Sequence, residues 1–156
     1  MSLCLSCGLC CDGTMFRVVK LHEGEAERLR SRVKLTEDKS HIPQRCSALR
    51  GDLCCGVYED RPKICRAFRC LALAGLDSGR MTAAESQELI DETLGRRRAL
   101  ADAYGIDDVH EAVARARRED EAGTLSGEAE VALSRLRRAL LVLQLRPDDP
   151  ILGQRG

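Results

Sequence analysis

The sequence predicts a mainly α-helical fold in two parts: a small cysteine-rich module over residues 1–79 and a helical segment over residues 80–156. Two observations support this expectation. All nine cysteines lie between Cys4 and Cys70, so the composition changes sharply within one chain of 156 residues. The cysteine-free remainder places apolar residues at helical spacing between recognisable helix starts and stops. A chain of this length suits one compact domain, or a small module joined to a helical partner.

The helical segment should contain about three helices, and the first two have clear ends. Thr82 followed by Glu85 matches a capping box at the start of a long helix, and Gly105 suits its C-terminal stop. Asp108 repeats the start signal for a second helix, which ends near Gly123.

The third helix opens at Ser126, ends at Pro147 and is the most apolar of the three. Its apolar stripe contains leucines at spacings of three and four residues: Leu133, Leu136, Leu140 and Leu143. We expect this stripe to pack against the sister helices, as in a helix bundle. A homodimer formed through the C-terminal helix is the alternative.

Local structure in the cysteine-rich module is harder to predict. The apolar segment over residues 15–21 fits either a strand or the start of a helix. Good helix formers from Glu23 onwards predict a helix of two to three turns. Residues 38–43 are predicted to be a loop, and the Gly75–Gly79 stretch is predicted to be the loop that closes the module.

Composition argues against nucleic acid and membrane as partners. The 25 Lys and Arg residues balance 25 Asp and Glu residues, and aromatic residues make up 3% of the chain. The longest apolar run, residues 139–143, is far short of the roughly 20 residues that a membrane span needs. Because no basic and apolar export signal precedes Cys4, we expect a cytoplasmic protein with reduced cysteines.

The first four cysteines form a C-x-x-C-x-x-C-C run at Cys4, Cys7, Cys10 and Cys11. In a helix or a tight turn, residues three or four apart share a face, so the four sulfurs should cluster. Thiolates at such close range repel one another unless a cation neutralises them, and metal binding does so. The run therefore predicts a metal site rather than disulfides or buried free cysteines.

The second group of cysteines comprises Cys46, Cys54, Cys55, Cys65 and Cys70. One compact segment rarely supplies every ligand of a tetrahedral site, so the two groups are expected to share metal ions. Eight thiolates would serve two four-sulfur zinc sites, one polynuclear cluster, or an iron centre beside a structural zinc. We expect more than one metal ion per chain.

Together the two groups resemble the CxxCxxCC family of zinc- or iron-chelating proteins, also called the YkgJ-like cysteine-cluster family. Its second signature is Cys-x-[Ile/Val]-Tyr-x-x-Arg-Pro-x-x-Cys-Arg-x-Phe-x-Cys. The residues that match it are Cys55, Tyr58, Arg61, Pro62, Cys65, Arg66, Phe68 and Cys70. The resemblance covers residues 4–70 and implies metal chelation. Cys54 is extra to the pattern, so we expect it not to be a ligand.

The predicted ligands are the seven cysteines that the two signatures contain together with Cys46, which matches the family's cysteine before the second signature: Cys4, Cys7, Cys10, Cys11, Cys46, Cys55, Cys65 and Cys70. The metal is expected to be zinc or iron, with an iron–sulfur cluster left open. Arg61 and Arg66 are expected to lie beside the thiolates and to offset their charge. Four other potential ligands are expected to stay outside the site: Asp12, His22, His41 and His110.

Two further expectations concern the second signature. Pro62 should start a helix that presents both Cys65 and Cys70. Tyr58 and Phe68 should belong to the small core of the module rather than form a stacking surface.

Two functional hypotheses follow from the cysteines. The first is a metal-binding module whose site is structural, or stores or delivers metal. The alternative is an iron-dependent metalloenzyme that modifies a peptide or protein substrate, which would keep an open coordination position. No catalytic residue can be named, because the common phosphate-loop, zinc-protease, serine-nucleophile and dinucleotide-binding motifs do not occur. A protein or peptide partner fits both hypotheses.

Overall fold

The computed structural model describes residues 3–145 of the chain. The chain forms two compact units, which we call unit 1 (Met1–Phe68) and unit 2 (Arg69–Gly156). The described residues form six α-helices and one two-stranded sheet, and this confirms the prediction of a mainly α fold. The domain limits predicted from the sequence, with a boundary near residue 79, stay a prediction.

Unit 1 is built from short elements joined by turns. In chain order they are a 3-10 helix (Leu3–Ser6), β1 (Val18–Lys20), α1 (Glu25–Leu29), β2 (His41–Pro43), a 3-10 helix (Tyr58–Asp60) and α2 (Lys63–Ala67). The strands pair antiparallel, with Val18 opposite Pro43 and Lys20 opposite His41. β1 lies within the apolar segment 15–21. Of the two alternatives predicted for this segment, it therefore forms a strand and not the start of a helix.

Two predictions for unit 1 are wrong in part. The predicted loop over residues 38–43 contains β2, because a three-residue strand has no pattern of its own and depends on a partner far along the chain. The helix predicted from Glu23 is a five-residue helix, α1. It begins after Gly24, whose φ of 78° is left-handed, and ends where the Arg32 N–H turns back to the Leu29 carbonyl at 2.8 Å.

A small apolar core holds unit 1 together. Its buried members are Val19, Leu21, Leu29, Val33, Ile42, Ala48 and Val57. Three of the predicted metal ligands, Cys46, Cys55 and Cys65, pack against this core. These three cysteines are therefore in direct contact with the apolar core of unit 1.

The expectations for the second signature are met in part. Pro62 directly precedes α2, which carries Cys65, but Cys70 lies beyond this helix because the chain becomes extended at Phe68, with ψ of 127°. Phe68 packs edge-on against Phe16, with ring centroids 4.9 Å apart. Tyr58 is 47% exposed, so its placement in the core was wrong. The signature is therefore split between a helix and an extended segment.

In the described part of unit 2 the regular elements are four helices joined by short connections. Its helices are α3 (Leu71–Asp77), α4 (Ala83–Tyr104), α5 (Val109–Glu121) and α6 (Gly127–Gln144). The predicted capping box starts α4: the Thr82 hydroxyl accepts the Glu85 N–H at 3.2 Å, and the Glu85 carboxylate accepts the Thr82 N–H at 2.7 Å. Gly105 ends α4 with φ of 64°, and the Asp108 carboxylate caps α5. These predicted ends are confirmed.

Helix α3 overturns part of the loop that was predicted over Gly75–Gly79. Gly75 lies inside the helix, and a β-carbon at this position would come within 2.5 Å of the Met81 sulfur. The glycine therefore serves a close approach of Met81, whereas the sequence suggested a turn. The chain leaves the helix after Asp77, and the predicted loop is correct for the residues that follow.

Helix α6 packs mainly against α4, and the four leucines of its predicted stripe are buried. This confirms the expected packing against a sister helix. Ser126 precedes α6 without a side-chain cap, and the predicted stop at Pro147 lies outside the described residues. Within residues 3–145, no helix is both long and apolar enough to cross a membrane.

Candidate metal centre

A tight turn shapes the first cysteine run. Gly8 adopts φ of 61°, and its carbonyl accepts the N–H groups of Cys11 at 2.8 Å and Asp12 at 3.0 Å. A β-carbon at Gly8 would lie 3.1 Å from the Leu53 side chain. Glycine at this position therefore allows both the left-handed turn and the close packing of residue 53 beside the run.

Backbone hydrogen bonds bring the second cysteine group to Cys11. The Cys46 N–H donates to the Cys11 carbonyl at 2.8 Å, so a backbone hydrogen bond links the two residues. A narrow hairpin follows. In this hairpin Leu49 and Cys55 form an antiparallel β-bridge, and the Gly56 N–H donates to the Ala48 carbonyl at 2.8 Å. This hairpin returns Cys55 to the neighbourhood of Cys46.

Four half-buried thiols from three segments of unit 1 lie close enough together for charge on three of them to act on the fourth, Cys11. They are Cys11, Cys46, Cys55 and Cys65, which we call the four-thiol set. Burial raises the pKa of Cys11 to about 12, and negative charge on the other three thiols adds to the rise. Burial, with charge on Cys46 and Cys55, raises the pKa of Cys65 to about 11. Burial also raises the pKa of Cys46.

Charged side chains act on the set with opposite signs. The Arg61 guanidinium favours the thiolate of Cys65 and lowers its pKa, against the larger effects of burial and the neighbouring thiols. It lies over the Tyr58 ring, 3.7 Å from the centroid. The carboxylate of Asp12 contributes to the raised pKa of Cys11. Asp12 is buried and accepts the Thr14 N–H at 2.7 Å, and the expectation that it is not a ligand stays a prediction.

The other four predicted ligands lie outside the four-thiol set. Cys4 is exposed, Cys7 is half-buried, and the Cys10 sulfur lies 3.9 Å from the sulfur of Met15. Cys70 belongs to unit 2, where it directly precedes α3. That these four residues bind metal stays a prediction.

Cys54 has a local partner of its own. Its N–H donates to the Asp52 carboxylate at 2.9 Å, and this bond, followed by the charge of Arg50 and a bond to the Cys54 thiol, lowers the pKa of Asp52. The expectation that Cys54 is not a ligand stays a prediction, and its partner at Asp52 agrees with it.

Two of the three histidines lie in regular elements. His41 lies in β2 with its Nδ1 atom 2.6 Å from the Ser40 hydroxyl, and His110 lies in α5 of unit 2. Over residues 3–145, no three or more His, Cys, Asp and Glu side chains form a ready-made metal site. The donor chemistry of the four-thiol set nevertheless fits zinc or iron, since both metals accept four sulfur ligands.

Glu25 is a functional candidate that the sequence analysis missed. Its buried carboxylate accepts the His22 N–H at 2.9 Å and the Lys63 N–H at 2.7 Å. Burial alone would raise the pKa of Glu25, but these two N–H groups and the charges of His22 and Arg28 outweigh it, so the pKa is lowered. No local pattern signals this role, because Lys63 is 38 residues away.

Comparison with known proteins gives a result for the family alone. No curated protein and no solved structure matches the chain. One family profile, described as "Putative zinc- or iron-chelating domain", matches residues 3–92, and the match therefore continues beyond the predicted 4–70 into α4. Because it covers more than half of the 156 residues and all nine cysteines, the chain belongs to the CxxCxxCC family.

Proposed function

We propose that the protein binds a zinc or iron ion through the four-thiol set. The observation that carries the proposal is the convergence of these thiols on Cys11: a backbone hydrogen bond links Cys46 to Cys11, and charge on Cys46, Cys55 and Cys65 contributes to the raised pKa of Cys11. Four sulfur donors from separate segments match the ligand number of a tetrahedral thiolate site. Membership of a zinc- or iron-chelating family supports the same conclusion.

The chemistry of binding is an exchange of protons for metal. Burial keeps Cys11 and Cys65 protonated in the metal-free chain, and each of these thiols gives up its proton when it becomes a ligand. A divalent ion supplies positive charge that offsets the repulsion between thiolates. Four thiolates would leave the site with net negative charge, and Arg61 beside Cys65 is placed to reduce it.

We further propose that Cys4, Cys7 and Cys10 supply ligands to a second ion or to a larger cluster, so that one chain holds more than one metal ion. The support is the density of the run, because closely spaced cysteines are typical of polynuclear iron sites. Iron is favoured when oxygen is excluded. A reducing cytoplasm would keep all these thiols available, so we place the protein there.

Anaerobic purification followed by elemental analysis should identify the metal. We expect more than one ion per chain with iron present, and visible absorption and Mössbauer spectra should report its nuclearity. A colourless protein with a single zinc would contradict the polynuclear proposal and leave one four-thiol zinc site. The alternative function, an iron-dependent enzyme acting on a peptide or protein, predicts an iron site that binds small ligands such as nitric oxide.

Metal affinity should fall as the pH is lowered. The pKa values of Cys11 and Cys65 are raised to about 12 and about 11, so both thiols are protonated throughout the neutral range. Binding then releases protons, and affinity should weaken by up to about tenfold per pH unit for each proton released. Competition with a chromophoric chelator between about pH 6 and 8 measures the slope. An affinity that did not change with pH would argue against thiolate ligation.

A further inference from the structure

We propose that Glu25 is a positioning residue for Cys65, because its buried carboxylate fastens the start of α1 to the start of α2. The inference rests on the proposed metal-binding function of the four-thiol set. It concerns how one ligand of that set is held in place, and it adds a residue that neither cysteine signature contains.

The length of α2 explains why Cys65 needs support. Lys63–Ala67 is a five-residue helix, and helices this short are unstable without tertiary contacts. The N–H of Lys63, the first residue of α2, donates to Glu25 at 2.7 Å. This bond lies two residues before Cys65. It fixes the N-terminal end of α2, the helix that carries the Cys65 thiol.

The second carboxylate oxygen completes a bridge. It accepts the N–H of His22, three residues before Glu25, at 2.9 Å, and Arg28 of α1 lies 3.6 Å from the first oxygen. Glu25 is 7% exposed, so water competes little with these bonds. Charge-assisted hydrogen bonds of this kind are stronger than neutral ones. One side chain thus joins two elements that are distant in sequence.

The substitution Glu25→Gln keeps the shape of the side chain but reduces the number of oxygens that can accept hydrogen bonds. A carboxamide keeps the size of Glu25 but has a single accepting oxygen, so one of the two N–H groups would face an NH₂ donor. The loss should loosen α2 and displace Cys65.

An effect of charge would have the opposite sign. The negative charge of Glu25 is one of the smaller causes that raise the pKa of Cys65. If charge were its main influence, Glu25→Gln would favour the thiolate and strengthen metal binding. Positioning predicts weaker binding, so the direction of the change separates the two roles.

Titration of the full-length, reduced, metal-stripped protein with Co²⁺ under anaerobic conditions tests the inference. Sulfur-to-cobalt charge-transfer absorption increases with the number of thiolate ligands, so it reports on Cys65 directly. For Glu25→Gln we expect affinity to fall about 10- to 100-fold, as for other residues that orient metal ligands, and absorption to fall toward a three-thiolate level. Glu27→Gln is the matched control, since Glu27 is exposed on the same helix and pairs with Arg30 at 2.7 Å.

Double variants separate positioning from general destabilisation. Glu25→Gln should have no further effect on Co²⁺ affinity when Cys65 is already serine, but it should still weaken binding when Cys46 is serine. Equal losses in the two backgrounds, or a Glu25→Gln protein that binds like the wild type or more tightly, would overturn the positioning role. If Glu25→Gln fails to fold, Glu25→Asp decides, because aspartate keeps both oxygens on a shorter side chain. A reduced charge-transfer intensity in the folded Asp variant supports positioning, and wild-type intensity contradicts it.

The wild-type titration keeps the two proposals distinguishable. A wild-type protein that bound Co²⁺ without thiolate charge-transfer absorption would overturn the four-thiol site itself, and the role of Glu25 with it. A four-thiolate wild-type spectrum with an unchanged Glu25→Gln spectrum would overturn the role of Glu25 alone.

Discussion

Stripping the metal from the intact protein should unfold unit 1 while the helices of unit 2 keep their backbone protection. The core of unit 1 has seven buried apolar residues, and Cys46, Cys55 and Cys65 pack against it. A core this small needs further stabilisation, and metal ligation supplies it in small cysteine-rich domains. Unit 2 has buried leucines of its own in α4 and α6, such as Leu100 and Leu136.

Hydrogen exchange resolved by peptide is the measurement that can locate this loss. After chelation, amides between residues 3 and 68 should exchange much faster, and added zinc or iron should restore their protection. Far-UV circular dichroism should change little, because the three longest helices, α4, α5 and α6, belong to unit 2. Unchanged protection in unit 1, with removal of the metal verified by elemental analysis, would show that the cysteines do not staple the unit.

Replacing Cys11 by serine should abolish stable metal binding at the four-thiol set. Cys11 senses the charge of all three other thiols and is joined to Cys46 through the backbone, so it is central to the set. Serine is close in size, but its hydroxyl is a poor ligand for zinc or iron at neutral pH. Residues that orient a ligand already change affinity by about 10- to 100-fold, so the loss of a ligand should exceed about 100-fold.

Cys54→Ser is the matched control for this series. Cys54 is adjacent to Cys55 and half-buried like it, but its backbone N–H and its thiol both donate to the Asp52 carboxylate. Metal content after anaerobic desalting should therefore stay at the wild-type level in Cys54→Ser and fall in Cys55→Ser. If both variants lost the same amount of metal, the family signature would be aligned to the wrong one of these two cysteines.

Local sequence signals predicted the helices of unit 2 well. The capping box at Thr82, the stop at Gly105 and the cap at Asp108 each depend on neighbouring residues, so they can be read directly from the sequence. The strand His41–Pro43 could not be predicted, because it forms through pairing with residues 18–20. The loop predicted at Gly75 was wrong, because a glycine that permits close packing looks the same in sequence as a glycine in a turn.

Spacing grouped Cys11 with the three cysteines just before it and predicted that this run shares metal ions with the second group. In the fold, the Cys46 N–H bond and the hairpin that follows bring Cys46 and Cys55 to Cys11. Which of the eight cysteines bind metal stays a prediction. The role of Glu25 depends on a contact across 38 residues and leaves no local pattern. Tertiary contacts therefore decide which cysteines meet.

The raised pKa values of Cys11 and Cys65 bear on how long a newly made chain survives before it binds metal. Peroxides and other oxidants attack the thiolate, and a buried, protonated thiol reacts slowly. With the pKa of Cys11 near 12 and that of Cys65 near 11, very little of either is ionised at neutral pH. Before metal is bound, Cys11 and Cys65 therefore react slowly with oxidants. The burial that raises their pKa values also lengthens the time available for metal delivery.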